Sequence, residues 1–197
     1  MIIGLLYEGE YDSEPFKKFL TTILRQNDIT IDLKIIPYPA YGSIQSKLEN
    51  ATTLFFTDTP KCDVAIFIND MDKKEERCKK IKKFTNNYMK INSTCTIFTL
   101  CPDPCFEKWF FIEENAIKRM FDLAASKQIP YVELEPKSRL KKLIKEYYDD
   151  FTKSTMEIYG EIAENLDCKV LSKRDEEFKS FCTIFLKEAR LLLKNPH

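Results

Sequence analysis

Histidine is almost missing from this chain: among 197 residues there is one, His197, and it stands last. That scarcity excludes a Ser-His-Asp triad, a Cys-His nucleophile pair and a histidine metal cage. An enzyme built on this sequence has to work with carboxylates, lysines, tyrosines or thiols. Net charge is missing as well. Thirty-one basic residues balance 31 acidic ones, so the chain as a whole is no electrostatic trap for nucleic acid, and any phosphate-binding face has to be local. Long apolar runs are lacking too; none approaches the roughly 20 residues that span a bilayer. The run from Met1 to Tyr7 is too short for a signal-peptide core, and acidic Glu8 and Glu10 follow it at once. The expected compartment is therefore the cytoplasm. Internal repeats and low-complexity linkers are absent.

Cysteine is plentiful but unpatterned. There are seven, at positions 62, 78, 95, 101, 105, 168 and 182. An odd count without a secretory signal predicts free thiols. Cys101 and Cys105 are separated by three residues, not by the two of a zinc knuckle, and no second pair follows.

What the sequence does contain is strand-helix alternation. Ile2–Tyr7 reads as a buried strand. Asp12 or Ser13 can cap the next helix, with Pro15 in its first turn and Phe16, Phe19, Leu20 and Ile23 on its inner face. Ile31–Ile36 reads as a second strand that stops at Pro37 and Pro39. A helix is expected over Ser43–Phe56, a third strand over Val64–Asn69, a charged helix over Lys74–Met89 and a fourth strand over Thr94–Leu100. Continuously apolar strands joined by helices imply an α/β fold: a central, mostly parallel sheet of about four strands flanked by helices. Beyond Leu100 the pattern turns helical, over Phe106–Ala125 with a break near Glu113, then over Lys137–Asn165 and Asp175–Lys194, with a weak strand at Tyr131–Leu134. This divides the chain into an α/β part, residues 1–128, and a helical C-terminal part, residues 129–197, with a soft boundary near Ile129-Pro130.

The acids fall in informative places. Glu8 and Glu10 follow the first strand, and Asp70 and Asp72 follow the third. In parallel sheets, ligands bind outside the carboxyl ends of the strands. Asp70 and Asp72 are two apart, so in extended chain they share a side. Gly9 lets the backbone turn sharply or approach a ligand closely. Clustered carboxylates repel one another, and a hard divalent cation, Mg²⁺ or Mn²⁺, removes that penalty. The competing reading is a set of solvated turn acids, favoured at helix N-termini by the dipole.

The order Glu8-Gly9, Asp70-x-Asp72 and Pro102-x-Pro104-Cys-Phe-Glu107-Lys-Trp109-Phe-Phe111 resembles the Toprim domain. Among Toprim proteins it is most similar to the small stand-alone, RloB-like and overcoming-lysogenization-defect-type nucleases of anti-phage defence. Pro136-Lys137-Ser138-Arg139-Leu140 resembles a later basic segment more loosely. The resemblance implies Glu8 as general acid/base or metal ligand, Asp70 and Asp72 as metal-binding aspartates, Asp12 as auxiliary ligand or helix cap, and Glu107 as a further carboxylate. It implies a Mg²⁺- or Mn²⁺-dependent nuclease acting on DNA or RNA, with an ATPase as a conceivable partner.

Lys73 and Lys74 lie beside the acids and are candidate phosphate contacts, as are Lys137 and Arg139. The rest of the charged helix (Arg77, Lys79, Lys80, Lys82, Lys83) reads as a solvated face. Trp109, Phe110 and Phe111 could stack on bases, but their helical spacing with Phe106, Ile117 and Phe121 favours core packing. Leu186, Leu191, Leu192 and Leu193 could form an apolar patch for a homodimer. Two other functions fit the pattern: a non-catalytic module recognising nucleic acid or a protein, and a receiver-like or phosphohydrolase domain. The latter wants a lysine at the end of the fourth strand, where Cys101-Pro102 stands instead.

Overall fold

The computed structural model describes residues 1–9, 13–41, 43–58, 60–71, 75–129, 135–147 and 153–194. Four strands, β1 (Ile2–Tyr7), β2 (Lys34–Pro39), β3 (Val64–Ile68) and β4 (Thr96–Leu100), form one all-parallel sheet in the order β2-β1-β3-β4. The α/β reading is what the structure shows.

Each central strand is apolar on both sides, because helices cover both sheet faces. Ile3, Leu5 and Tyr7 of β1, with Val64, Ile66 and Ile68 of β3, pack into the larger core. Helix α1 (Ser13–Arg25) lies on that face and buries Phe16, Phe19, Leu20 and Ile23, the four residues its sequence period selects. Leu6, Ala65 and Phe67 point the other way, against α2 (Leu48–Phe56) and α3 (Glu75–Ile91). Gly4 is needed here: a Cβ on it would sit 2.3 Å from the Phe55 ring. On α3, Cys78, Ile81 and Thr85 turn inward while Lys79, Lys80, Lys82 and Lys83 stay exposed.

The second strand is displaced from its expected place. It begins at Lys34 and runs through both prolines to Pro39. The reason is its position at the sheet edge. The Lys34 and Ala40 N–H groups donate inward, to Met1 and Tyr7 carbonyls, so the even-numbered residues face β1 and the nitrogens of Pro37 and Pro39 face outward, where no ladder donor is required. At the opposite edge, two outward N–H groups have side-chain acceptors: Ile97 of β4 donates to Met89 Sδ at 3.2 Å, and Cys101, just past the strand, donates to Glu177 Oε1 at 2.9 Å.

The helical half divides more finely than its periodicity suggests. Helix α4 (Lys108–Ile112) breaks from α5 (Glu114–Met120) at Glu113, as expected. The single helix expected over Lys137–Asn165 is instead α6 (Pro136–Tyr147) and α7 (Thr155–Glu164). Ser154 starts α7 in an extended conformation with a capping box to Glu157, which forbids continuity there. A short α8 (Cys168–Arg174), capped by Asp167, precedes α9 (Glu176–Lys194). Phe178 and Phe185 of α9 join Phe16, Phe19 and Trp109 in the larger core. Leu186 also belongs to it, at 9% exposure, which removes it from the expected surface patch; Leu191 and Leu193 are exposed. The expected strand at 131–134 lies outside the described residues. No described helix is long and apolar enough to cross a membrane.

One expectation fails outright. Cys78 and Cys101 form a disulfide, so the thiols are not all free; Cys62, Cys95, Cys105, Cys168 and Cys182 are. The pairing follows from topology. A crossover helix runs antiparallel to its strands, so the start of α3 and the end of β4 meet at the same rim of the sheet.

Candidate functional site at the carboxyl rim of the sheet

From β1 the chain goes out to β2, then crosses back to β3 on the other side of β1. This reversal opens a crevice outside the carboxyl ends of β1 and β3, the usual ligand position in such sheets. Glu8 directly follows β1, and Asp70 follows β3 after Asn69. Both border one small cavity of about 10 Å³, with Phe16, Ile68 and Phe106 as its apolar walls. That volume holds about one water-sized sphere. The acids predicted from two separate loops thus face a common space.

Each acid is oriented from a different element. Asp70 Oδ1 accepts the backbone N–H of Phe106 at 3.2 Å. Asn69, 2% exposed, donates its side-chain amide to the Asp70 carbonyl at 2.9 Å and its backbone N–H to the Leu100 carbonyl. A polar residue at this strand end therefore ties Asp70 to β4. Glu8 is partly open to solvent, and Arg77 Nη1 of α3 lies 4.0 Å from its Oε1. Gly9, next to Glu8, is half-buried in a bend.

The loop after β4 adds a second layer. Glu107 is 4% exposed, and Lys137 Nζ at the start of α6 stands 4.0 Å from its Oε1. The neighbouring Cys105 thiol donates to Glu107. Burial first, then the negative charges of Glu107 and Asp70, push this thiol far above the ordinary cysteine range. Both influences disfavour the thiolate. The same influence places Asp70, Cys105 and Glu107 close together. Arg139 is half-exposed, and its Nε is buried without a hydrogen-bond partner among the described residues.

Glu8, Gly9, Asp70 and Glu107 therefore gather at one rim, with Lys137 beside Glu107. Asp12, Asp72, Lys73 and Lys74, and Glu10 with them, lie outside the described residues. Among the described residues no group of three His, Cys, Asp or Glu is placed to hold a metal ion. The described pair, Glu8 and Asp70, offers hard oxygen donors only, and one or two protein carboxylates are what Mg²⁺ commonly takes. The donor chemistry fits such an ion and not a soft one.

Two participants escape a reading by sequence. Arg77 looks like one more charge on a solvated helix; it stands in the first turn of α3, which starts at this rim, and so reaches Glu8. Cys105 looks like an unpatterned thiol. Conversely, Trp109, Phe110 and Phe111 are core residues, at 0%, 0% and 6% exposure, with Trp109 stacked on Phe19. They offer no face for base stacking.

Compared with known proteins, the chain matches no family model, no curated protein and no solved structure.

Proposed function

We propose that the carboxyl rim binds Mg²⁺ or Mn²⁺ through Glu8 and Asp70, and that the protein is a metal-dependent nuclease of Toprim type, acting in anti-phage defence. The observation carrying this reading is the shared cavity: acids that follow β1 and β3 border one space at the switch point of a parallel sheet. Asp72 and Asp12, by their place in the sequence, are the candidates to complete the set. When bound, such an ion supplies an activated water and offsets charge developing on a phosphoryl group.

The chain's own residues have separate tasks. The Phe106 N–H holds the Asp70 carboxylate in one orientation. Arg77 and Lys137, each 4.0 Å from a rim carboxylate, can exchange a long ion pair for a phosphate oxygen. Phe16 and Phe106 form the apolar inner wall of the cavity.

The test is calorimetric titration with Mn²⁺, paired with cleavage assays on DNA, RNA and tRNA in Mg²⁺ and Mn²⁺, for wild type, Glu8→Gln and Asp70→Asn. Saturable Mn²⁺ binding and cleavage, both lost in the two variants, support the proposal. Equal behaviour of all three proteins overturns it.

A non-catalytic module binding nucleic acid or a protein is the second reading. It is favoured by the internal pairing of Glu8 with Arg77 and of Glu107 with Lys137, which lets the rim hold its carboxylates without a metal. The Mn²⁺ titration separates the two readings, since a pure scaffold gives no heat.

A further inference from the structure

A larger pocket lies at the other end of α1. Phe16 borders the rim cavity, and Gln26, just past the last turn, borders this pocket. Ten residues of helix separate them by about 15 Å. It is a half-open depression of about 430 Å³ between the end of α1, α8 and α9, a volume within the range of roughly 300–1,000 Å³ typical of small-molecule sites.

Its lining is one-sided in charge. Lys169, Lys173 and Lys179 border it, and no carboxylate does among the described residues. In a chain with equal numbers of acids and bases, such a lining stands out. Lys179 is paired with Glu176 at 3.1 Å. Lys169 and Lys173 have no carboxylate within salt-bridge distance among the described residues, so two ammonium charges are left over. The backbone N–H groups at the start of α8 are already used: those of Lys169 and Val170 donate to Asp167 Oδ1. Recognition of an anion therefore falls to the lysine side chains. Beneath them the floor is apolar and soft, formed by Leu186, Cys168 and Cys182, all nearly buried. Burial pushes the Cys168 thiol up to about 12 and the Cys182 thiol higher still, so both remain neutral and add no negative charge.

We propose that this pocket binds a small phosphate monoester, its dianionic head on Lys169 and Lys173 and its organic body on the Leu186–Cys182 floor. Two unpaired ammonium groups match the charge of a phosphomonoester near neutral pH, and the remaining volume admits a body the size of a nucleoside. The site is independent of the carboxylate rim and of the activity proposed there.

The test is calorimetry on the full chain with AMP as probe, and with adenosine and inorganic phosphate as separate arms. AMP is expected to bind once per chain, at least tenfold more tightly than adenosine or inorganic phosphate. The double variant Lys169→Ala/Lys173→Ala should weaken AMP at least tenfold, with an unchanged circular-dichroism melting curve because both side chains are exposed. Glu8→Gln should leave AMP binding unchanged, which separates this pocket from the rim. No AMP binding, or equal AMP affinity in the wild type and the lysine double variant, overturns the proposal. So does adenosine or inorganic phosphate binding as tightly as AMP, since head or body would then contribute nothing.

Discussion

The carboxylate of Asp70 accepts the backbone N–H of Phe106 at 3.2 Å, so the acid that follows β3 is fixed by the loop that follows β4. This bond makes two substitutions at one position distinguishable. Asp70→Asn keeps an oxygen for Phe106, whereas Asp70→Ala leaves that N–H without its acceptor. Asp70→Ala should unfold in urea about 1 kcal/mol more easily than Asp70→Asn. Both should lose Mn²⁺ binding. Equal stability of the two variants would mean that Asp70 has no part in holding the loop.

The link between Cys78 and Cys101 spans 23 positions. Thiol titration of the denatured, unreduced chain should find five groups, and reduction should raise the count to the full seven. A loop of this length contributes about 3 kcal/mol on the chain-entropy account. Cys78→Ser/Cys101→Ser should lower the stability of the oxidised protein by about that amount, and reductant should then have no further effect on the variant.

Gly4 lies in β1 under the Phe55 ring, where an added Cβ would come within 2.3 Å of the ring carbon Cγ. Overpacking of this kind costs about 3 kcal/mol, since neither the strand nor a buried aromatic can move aside. Gly4→Ala should therefore shift the urea midpoint strongly downward. Adding Phe55→Leu, which frees space above the strand, should recover part of the loss, a coupling that a double-mutant cycle measures.

Glu113 gives a pH signature. It is 1% exposed, and burial raises its pKa from 4.5 against the opposing pull of the Asp167 N–H and Arg119. The folded state therefore holds this proton more tightly than the unfolded chain does. Its contribution to stability is fully present below 4.5 and is lost as pH rises through the higher folded value. Glu113→Gln removes that dependence. Between about pH 4 and about pH 7 the wild type should lose more stability, or gain less, than the variant, as read from urea unfolding at each pH.

Much of this was legible in advance because the governing signals are local. The apolar runs of β1 and β3 and the 3.6-residue period of α1 each name their own buried face. Glu8 and Asp70 could be assigned to one rim because parallel strands end at the same side. The misreadings have non-local causes. Pro37 and Pro39 end a strand in most settings, and only the edge position of β2 makes them harmless. Cys78 meets Cys101 because α3 and β4 between them return the chain to the same rim, and Arg77 meets Glu8 because β1 and β3 are neighbours in the sheet; neither contact leaves a spacing to read. The capping box at Ser154 was present in the residues, yet the strong helical period on both sides hid it.

The borders of the sheet constrain how this protein can meet others. An unguarded outer strand invites a foreign strand to pair with it and so seeds association and fibrils. Here Pro37 and Pro39 deny donors along one flank, while Met89 and Glu177 occupy amide groups along the other. Growth of the sheet by strand addition is thereby discouraged along the proline flank and hindered at the two ends of the other.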